Sequence, residues 1–292
     1  MAAVIGAWPQ HERFLRNSLS DYGSQELAMV DDLARRITVL AGDRMAEVVQ
    51  SYRWMCGELT KETLYFKKHD AYRLSTFADA DRLVYSNRPY MKQYMEGLLC
   101  SQALWRNHSA AFLFFRTNFL SRLREGFSYL EVGPGHGLFL SVAAEQQACA
   151  QARGWDVSEE SLRQTALALE ALGSAHGVAL EQRDVLASAA VDGELFDGIA
   201  VSEVLEHLEQ PREALVSLRR RLAPEGLIFI NVPLNSPAPD HIYLLRTAQD
   251  ARALVEAAGL EVVDLQLAPM TGYSVAEAER QKATVSCLII AK

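Results

Sequence analysis

The chain has 292 residues, of which 49% are hydrophobic, enough apolar material for one or two folded domains with a sizeable core. Its 29 basic against 37 acidic residues give a net charge of -8, and no basic stripe of the kind that neutralises nucleic-acid phosphates is present. The scattered Cys56, Cys100, Cys149 and Cys287 form no C-x-x-C pair, which argues against a zinc knuckle or disulfide framework; no stretch reads as a membrane span or signal peptide, so the cytoplasm is the expected compartment.

In chain order, residues 25–59 carry Leu27, Met29, Val30, Leu33, Ile37, Leu40, Met45, Val48 and Val49 near helical period. Gly42-Asp43 interrupts them, which predicts two successive helices. Residues 60–72 are charged and expected to be partly exposed, and residues 75–81 contain capping residues suited to starting another helix. Residues 84–119 are rich in aromatics, and Phe112, Phe115 and Phe119 recur at three and four positions, hence on one helical face. Most are expected to pack against a sheet, while Tyr90, Tyr94 or Trp105 could face a cationic ligand. His108 reads as a hydrogen-bonded structural histidine.

At residues 127–140 an apolar run ends in Glu131-Val132, breaks into Gly133-Pro134-Gly135-His136-Gly137, and resumes as the apolar start of a helix. Glycines so closely spaced let the backbone turn sharply and leave room for a ligand at the carboxyl end of a strand. A second strand over 150–155 ends before Asp156, a carboxylate placed to accept both hydroxyls of a ribose. Ser158 caps a helix running to Gly173, and strands follow over 178–182 and 196–201. Pro211 opens a further helix; residues 227–232 form a near-continuously apolar strand, 248–259 a helix, and 260–267 and 284–291 two last strands. This alternation predicts an α/β fold with a doubly wound sheet.

The ordered motifs E-V-G-P-G-H-G, W-D, R-D-V, F-D-G-I-A-V-S-E-V-L-E-H-L and L-A-P-E-G-L-I-F-I-N-V-P resemble those of class I S-adenosylmethionine-dependent methyltransferases. The resemblance covers residues 125–292 and implies a seven-stranded Rossmann-like sheet whose final strand is inserted antiparallel. It implies two units: a helical N-terminal lid or substrate domain over 1–124, covering the cofactor, and an S-adenosylmethionine-binding domain over 125–292. Glu131 with Gly133, Pro134, Gly135, His136 and Gly137 would hold the amino acid part of the donor. Asp156 would bind the ribose, Asp184 and Val185 the adenine, and Ser202 and Glu203 would lie beside the methyl group.

Methyl transfer from a sulfonium is an in-line displacement, so the protein contributes alignment, desolvation and removal of the acceptor's proton. An imidazole suits proton removal near neutral pH. His241, in a proline-rich loop after the fifth strand, is the favoured base, with Tyr243 as its neighbour and His207 as the other candidate. Glu203, Glu206 and His207 stand at relative positions zero, three and four, hence on one helical face, and His241 could complete a ligand set for a divalent metal. This E-x-x-E-H spacing is similar to that of metal-dependent small-molecule and RNA methyltransferases of the same superfamily, and would suit an acceptor with adjacent oxygens. The pair E-H also occurs in relatives without metal, and the metal-free reading is preferred.

The expected function is methyl transfer from S-adenosylmethionine to a small molecule, in specialised metabolism, without nucleic-acid or membrane partners; a homodimer is compatible with it. A peptide- or carrier-bound acceptor is the runner-up, and a non-catalytic binding subunit of the same fold is a further alternative. A nicotinamide-dependent oxidoreductase is disfavoured because the loop lacks G-x-G-x-x-G spacing.

Overall fold

Seven strands build one sheet whose inner members are largely buried on both sides, because helices cover both of its faces. In the computed structural model, which describes residues 1–187 and 193–292, they are β1 (Phe127–Val132), β2 (Cys149–Asp156), β3 (Val178–Gln182), β4 (Phe196–Ser202), β5 (Leu222–Leu234), β6 (Val262–Pro269) and β7 (Val285–Ala291). Their order is β3-β2-β1-β4-β5-β7-β6. β1 to β5 run parallel, and β7 is inserted antiparallel to both β5 and β6. The chain reverses direction across the sheet between β3 and β4, so the ends of β1 and β4 flank the switch point where such sheets bind ligands.

Seven helices precede the sheet: α1 (Ala2–Ala7), α2 (Glu12–Leu19), α3 (Ser24–Ala41), α4 (Met45–His69), α5 (Phe77–Ala80), α6 (Arg88–Leu104) and α7 (Arg106–Phe114). Five more lie among the strands: α8 (Leu138–Ala144), α9 (Glu159–Leu172), α10 (Pro211–Arg219), α11 (Ala248–Ala257) and α12 (Val275–Gln281). The break at Gly42 is a short 3-10 turn between α3 and α4, as the periodicity implies. α4 runs on to His69, through the charged stretch that the apolar pattern does not reach; Phe66 there is buried, and its ring packs 5.8 Å from that of Tyr72. α12 was not expected from the sequence; Ser274 and Glu277 form a capping box that starts it. β5 begins at Leu222, earlier than its apolar run, because Leu222 already pairs with Phe196.

Alternating side chains along the strands feed two cores. One face sends Tyr129, Ala200, Phe229, Leu288 and Ile290 against Phe112, Phe115 and Phe119, all fully buried. That same cluster includes Val30, Leu33 and Ile37 of α3 and Leu138 and Leu140 of α8. The other face packs Leu130, Val201, Ile228, Ile230 and Ile289 against Leu215 and Leu218 of α10 and Val255 of α11. A third cluster, with Tyr52, Met55, Tyr94 and Leu104, lies inside the helical lobe itself.

Candidate functional site

Three strand ends meet at one edge of the sheet. β1 delivers Glu131 and the loop 133–137; Gly133, Gly135 and Gly137 all have positive φ, at 67, 49 and 67°. A Cβ on Gly133 would stand 2.8 Å from Val204 Cγ2, so only glycine lets this loop pass the turn that follows β4. Glu131 is buried and accepts a hydrogen bond of 2.9 Å from the Tyr129 hydroxyl. Burial pushes its carboxyl up to about 8. His136 Nε2 lies 2.8 Å from the carbonyl of Met95, which ties the loop to α6 of the helical lobe.

Asp156, at the end of β2, accepts from the backbone of Ser158 at 2.9 Å and from Ser161 Oγ at 2.6 Å, and so caps α9 from outside. Asp184 accepts from the backbone of Leu186 at 2.8 Å, and Val185 beside it is buried. Ser202 Oγ accepts from Asn231 Nδ2 at 3.0 Å.

The residues after β4 do not form the helical face inferred from their spacing. Glu203 has a left-handed φ of 54°, and Leu205–His207 is a single 3-10 turn. The tight turn nevertheless brings both glutamates inward. Glu206 is fully buried, and neither of its carboxylate oxygens has a hydrogen-bond partner; Glu203 Oε1 is likewise unpartnered. Burial raises both carboxyls, and that of Glu206 rises further because Glu203 is beside it. The loop after β5 is fastened to this turn: the backbone amides of Ile242 and Tyr243 both donate to the Glu206 carbonyl at 2.9 Å. His241 thereby comes to lie with Nε2 4.0 Å from Glu206 Oε1, while His207 Nε2 is 3.8 Å from the same oxygen. The two imidazole rings are 4.9 Å apart, edge to face.

Tyrosines of the helical lobe roof the cluster. The Tyr85 hydroxyl is 3.0 Å from His207 Nδ1, and Tyr94 donates to Asp240 Oδ1 at 3.4 Å. The Tyr72 ring packs 5.8 Å from that of His241, and its hydroxyl accepts from the Ser236 amide. Asp240, Tyr72 and Tyr85 had no role in the sequence reading. Asp240 is separated by over thirty residues from the E-x-x-E-H motif, and nothing in the local pattern of either tyrosine marks a site.

Several candidates are placed elsewhere or changed in character. Tyr243 is bonded through its backbone amide to the Glu206 carbonyl, and it also lines an open groove with Glu209, Arg212 and Leu254. His241 does lie at the site, but burial pushes its imidazole down to about 4, away from the range of a base at neutral pH. Trp105 donates to Tyr52 Oη at 2.8 Å, and His108 is bonded to Ser101 Oγ at 3.0 Å, so the polar atoms of both are engaged within the helical lobe. Tyr90 packs edge-on against Trp54.

A seven-stranded sheet of this order, with β7 reversed and a glycine cradle after β1, defines the Rossmann-like fold of class I, S-adenosylmethionine-dependent methyltransferases. A family profile described as a methyltransferase domain matches residues 104–265, more than half of the chain, and the chain belongs to that family. The cofactor that this family and fold imply is S-adenosylmethionine. The residues present fit such a donor: a bare backbone cradle lies beside a buried carboxylate able to face an ammonium group.

Among solved structures, an O-methyltransferase family protein from Burkholderia thailandensis is similar at 16% identity, covering 85% of this chain and 71% of that one with a TM-score of 0.56. The (4+2)-cyclase SpnF aligns at 19% identity over 63% of this chain and 80% of its own, with a TM-score of 0.50. These likenesses are of fold, and the cyclase illustrates that one fold supports more than one chemistry. No curated protein sequence matches the chain. No helix among the described residues is long and apolar enough to cross a membrane.

Proposed function

We propose that the chain transfers a methyl group from S-adenosylmethionine to an oxygen of a small acceptor, held between the glycine cradle and the carboxylate and imidazole cluster under the helical lobe. The observation that carries this reading is their adjacency. Gly133 lies against Val204, so the donor cradle touches the turn that bears Glu203 and Glu206. When bound, S-adenosylmethionine supplies an electrophilic methyl carbon on a sulfonium, with a neutral thioether as leaving group. Glu131 and the backbone of 133–137 hold its amino acid part, Asp156 its ribose hydroxyls, and Asp184 with Val185 its adenine. Asp156 keeps a second lone pair on each oxygen for a ribose hydroxyl while it caps α9.

Ser202 and Glu203 would lie beside the methyl group of the bound donor. A carboxylate of the cluster would take the acceptor's hydroxyl proton, and the bound donor would supply the methyl carbon to that oxygen and keep the electrons of its carbon–sulfur bond as a thioether. Glu203 suits that proton better than His241, because one of its buried oxygens is free while the open nitrogen of His241 is turned to Glu206. The tyrosine roof excludes water from the displacement. All four cysteines are free thiols, which suits a reducing compartment such as the cytoplasm.

Calorimetric titration with S-adenosylhomocysteine tests the donor site. Saturable binding is expected for the wild type, with a loss of roughly 100-fold or more in Gly133→Ala as the cradle closes. Transfer of labelled methyl to small hydroxylated acids and phenols should follow, with kcat reduced about 100-fold in Glu203→Gln. A wild type that fails to bind S-adenosylhomocysteine overturns the reading. Binding without transfer, except to a carrier-bound acceptor, selects the runner-up.

A further inference from the structure

We propose that Glu206, His207 and His241 bind a divalent first-row transition-metal cation, with Glu203 as an adjoining oxygen donor and open coordination positions facing the acceptor. This departs from the metal-free preference drawn from sequence, on the geometry around Glu206. This carboxylate is fully buried with both oxygens unpartnered. No lysine or arginine ion-pairs with Glu203, Glu206 or Asp240 among the described residues. A buried carboxylate that no N–H, hydroxyl or counter-charge matches is costly, and natural proteins rarely leave one so.

The imidazoles point to what matches it. His241 Nδ1 is 2.7 Å from the Ser236 carbonyl, and His207 Nδ1 is 3.2 Å from the Asp240 carbonyl. A carbonyl only accepts, so each Nδ1 carries the proton and each Nε2 presents a bare lone pair. Tyr85 Oη accepts from the same His207 nitrogen and turns its own proton to Asp240 Oδ2. Both lone pairs face Glu206 Oε1, at 3.8 and 4.0 Å. Those separations are too long for hydrogen bonds. They fall near the wide end of the roughly 3.0 to 4.2 Å that separates two ligands sharing one cation with bonds of about 2.1 Å, so closing on an ion takes a small inward shift of the side chains.

All three ligand atoms lie within 4.8 Å of one another. Tethering each histidine through Nδ1 to a carbonyl is the support that metal-bound imidazoles ordinarily have. Two imidazoles with carboxylates favour manganese, iron, cobalt or zinc over calcium or magnesium, which prefer oxygen alone. Three protein ligands leave room for two adjacent oxygens of one molecule. On the methyl-transfer reading of the preceding section, the acceptor class is therefore a vicinal dioxygen compound, whose hydroxyl a cation acidifies.

The test is titration of chelator-treated full-length protein with Co2+, followed by calorimetry and visible absorption, with S-adenosylhomocysteine titrated in the same preparations. One Co2+ per chain is expected, with ligand-field bands of low coordination number and affinity at least 100-fold weaker in Glu206→Gln and His241→Asn. Circular dichroism and S-adenosylhomocysteine binding identify variants that remain folded; should Glu206→Gln unfold, His241→Asn decides. Retention of S-adenosylhomocysteine binding with no saturable Co2+ binding, an unaltered aqua-ion spectrum, or equal affinity in a folded variant overturns the metal site and leaves the methyltransferase reading standing. Co2+ binding without S-adenosylhomocysteine binding does the reverse.

Discussion

Glu131 shows how burial turns a carboxylate into a switch that the donor can throw. With its carboxyl pushed up to about 8, it holds a proton in the folded protein that the unfolded chain, with an ordinary carboxylate, releases above about 4.5. The folded state then binds more protons across that window, so Glu131 weakens stability as pH rises from about 5 to 8, by up to about 1.4 kcal/mol per pH unit. Glu131→Gln has no proton to lose. Urea denaturation at pH 5.5 and 8.0 should show the variant gaining on the wild type at the higher pH, and an unchanged difference refutes the assignment. A donor ammonium favours the ionised form, so wild-type binding of S-adenosylhomocysteine at pH 6.5 should release a proton. Calorimetry in buffers of differing ionisation enthalpy reads that proton, which Glu131→Gln should not release.

At the scale of elements, the crossing of α4 and α6 sets where the roof sits. A Cβ at Gly97 would lie 2.7 Å from Met55 Cβ and 3.0 Å from the Ser51 carbonyl, so the two helices touch backbone to backbone there. The same helix places Tyr94 over Asp240 and the Met95 carbonyl on His136. Gly97→Ala gains about 1 kcal/mol in helix propensity but forces the helices apart, and overpacking of this kind costs about 1–3 kcal/mol. Net destabilisation in urea, together with weaker S-adenosylhomocysteine binding, is the expected result. A stabilised variant with unchanged affinity contradicts the close crossing. The turn after β4 is a second element decided by contacts: its amide at Glu203 is bonded to the Asn231 carbonyl, and the Glu206 carbonyl holds the loop of His241. Local spacing suggested a helix there, because positions zero, three and four share one face of an α-helix, a geometry that the left-handed φ at Glu203 breaks.

Across the whole molecule, the division near residue 124 concerns continuity of the core. We propose that the helical part and the sheet fold as one cooperative unit, because Tyr22, Val30, Leu33, Ile37 and Leu99 share a cluster with Phe112, Phe115, Tyr129 and Phe229. Surface ties add little: Asp70, at the end of α4, pairs with Arg246 at 3.0 Å and Lys282 at 2.7 Å, but it is exposed. Full-length protein should unfold in one transition. A fragment spanning 105–292, stripped of those partners, should bind hydrophobic dyes and lose a cooperative transition. A fragment with native near-ultraviolet dichroism and a sharp melt shows two independent domains instead.

The fold was legible in the residues because its signals are local: apolar runs of strand length, Ser158 and Gly173 at the ends of α9, Pro211 at the start of α10, and glycines after Glu131. The reversed β7 came with the family resemblance, since direction within a sheet leaves no mark on one strand's own pattern. The candidate site was half legible. Its motif residues could be named, but that His241 faces Glu206 and that the Tyr243 amide is bonded to the Glu206 carbonyl depend on atoms separated by dozens of residues in the chain. Sequence by itself determined the α/β architecture and the donor cradle, through backbone conformation and hydrophobic period. Only the tertiary structure decided the chemistry at Glu206, because desolvation and hydrogen-bond satisfaction are set by what packs around a group and not by its neighbours along the chain.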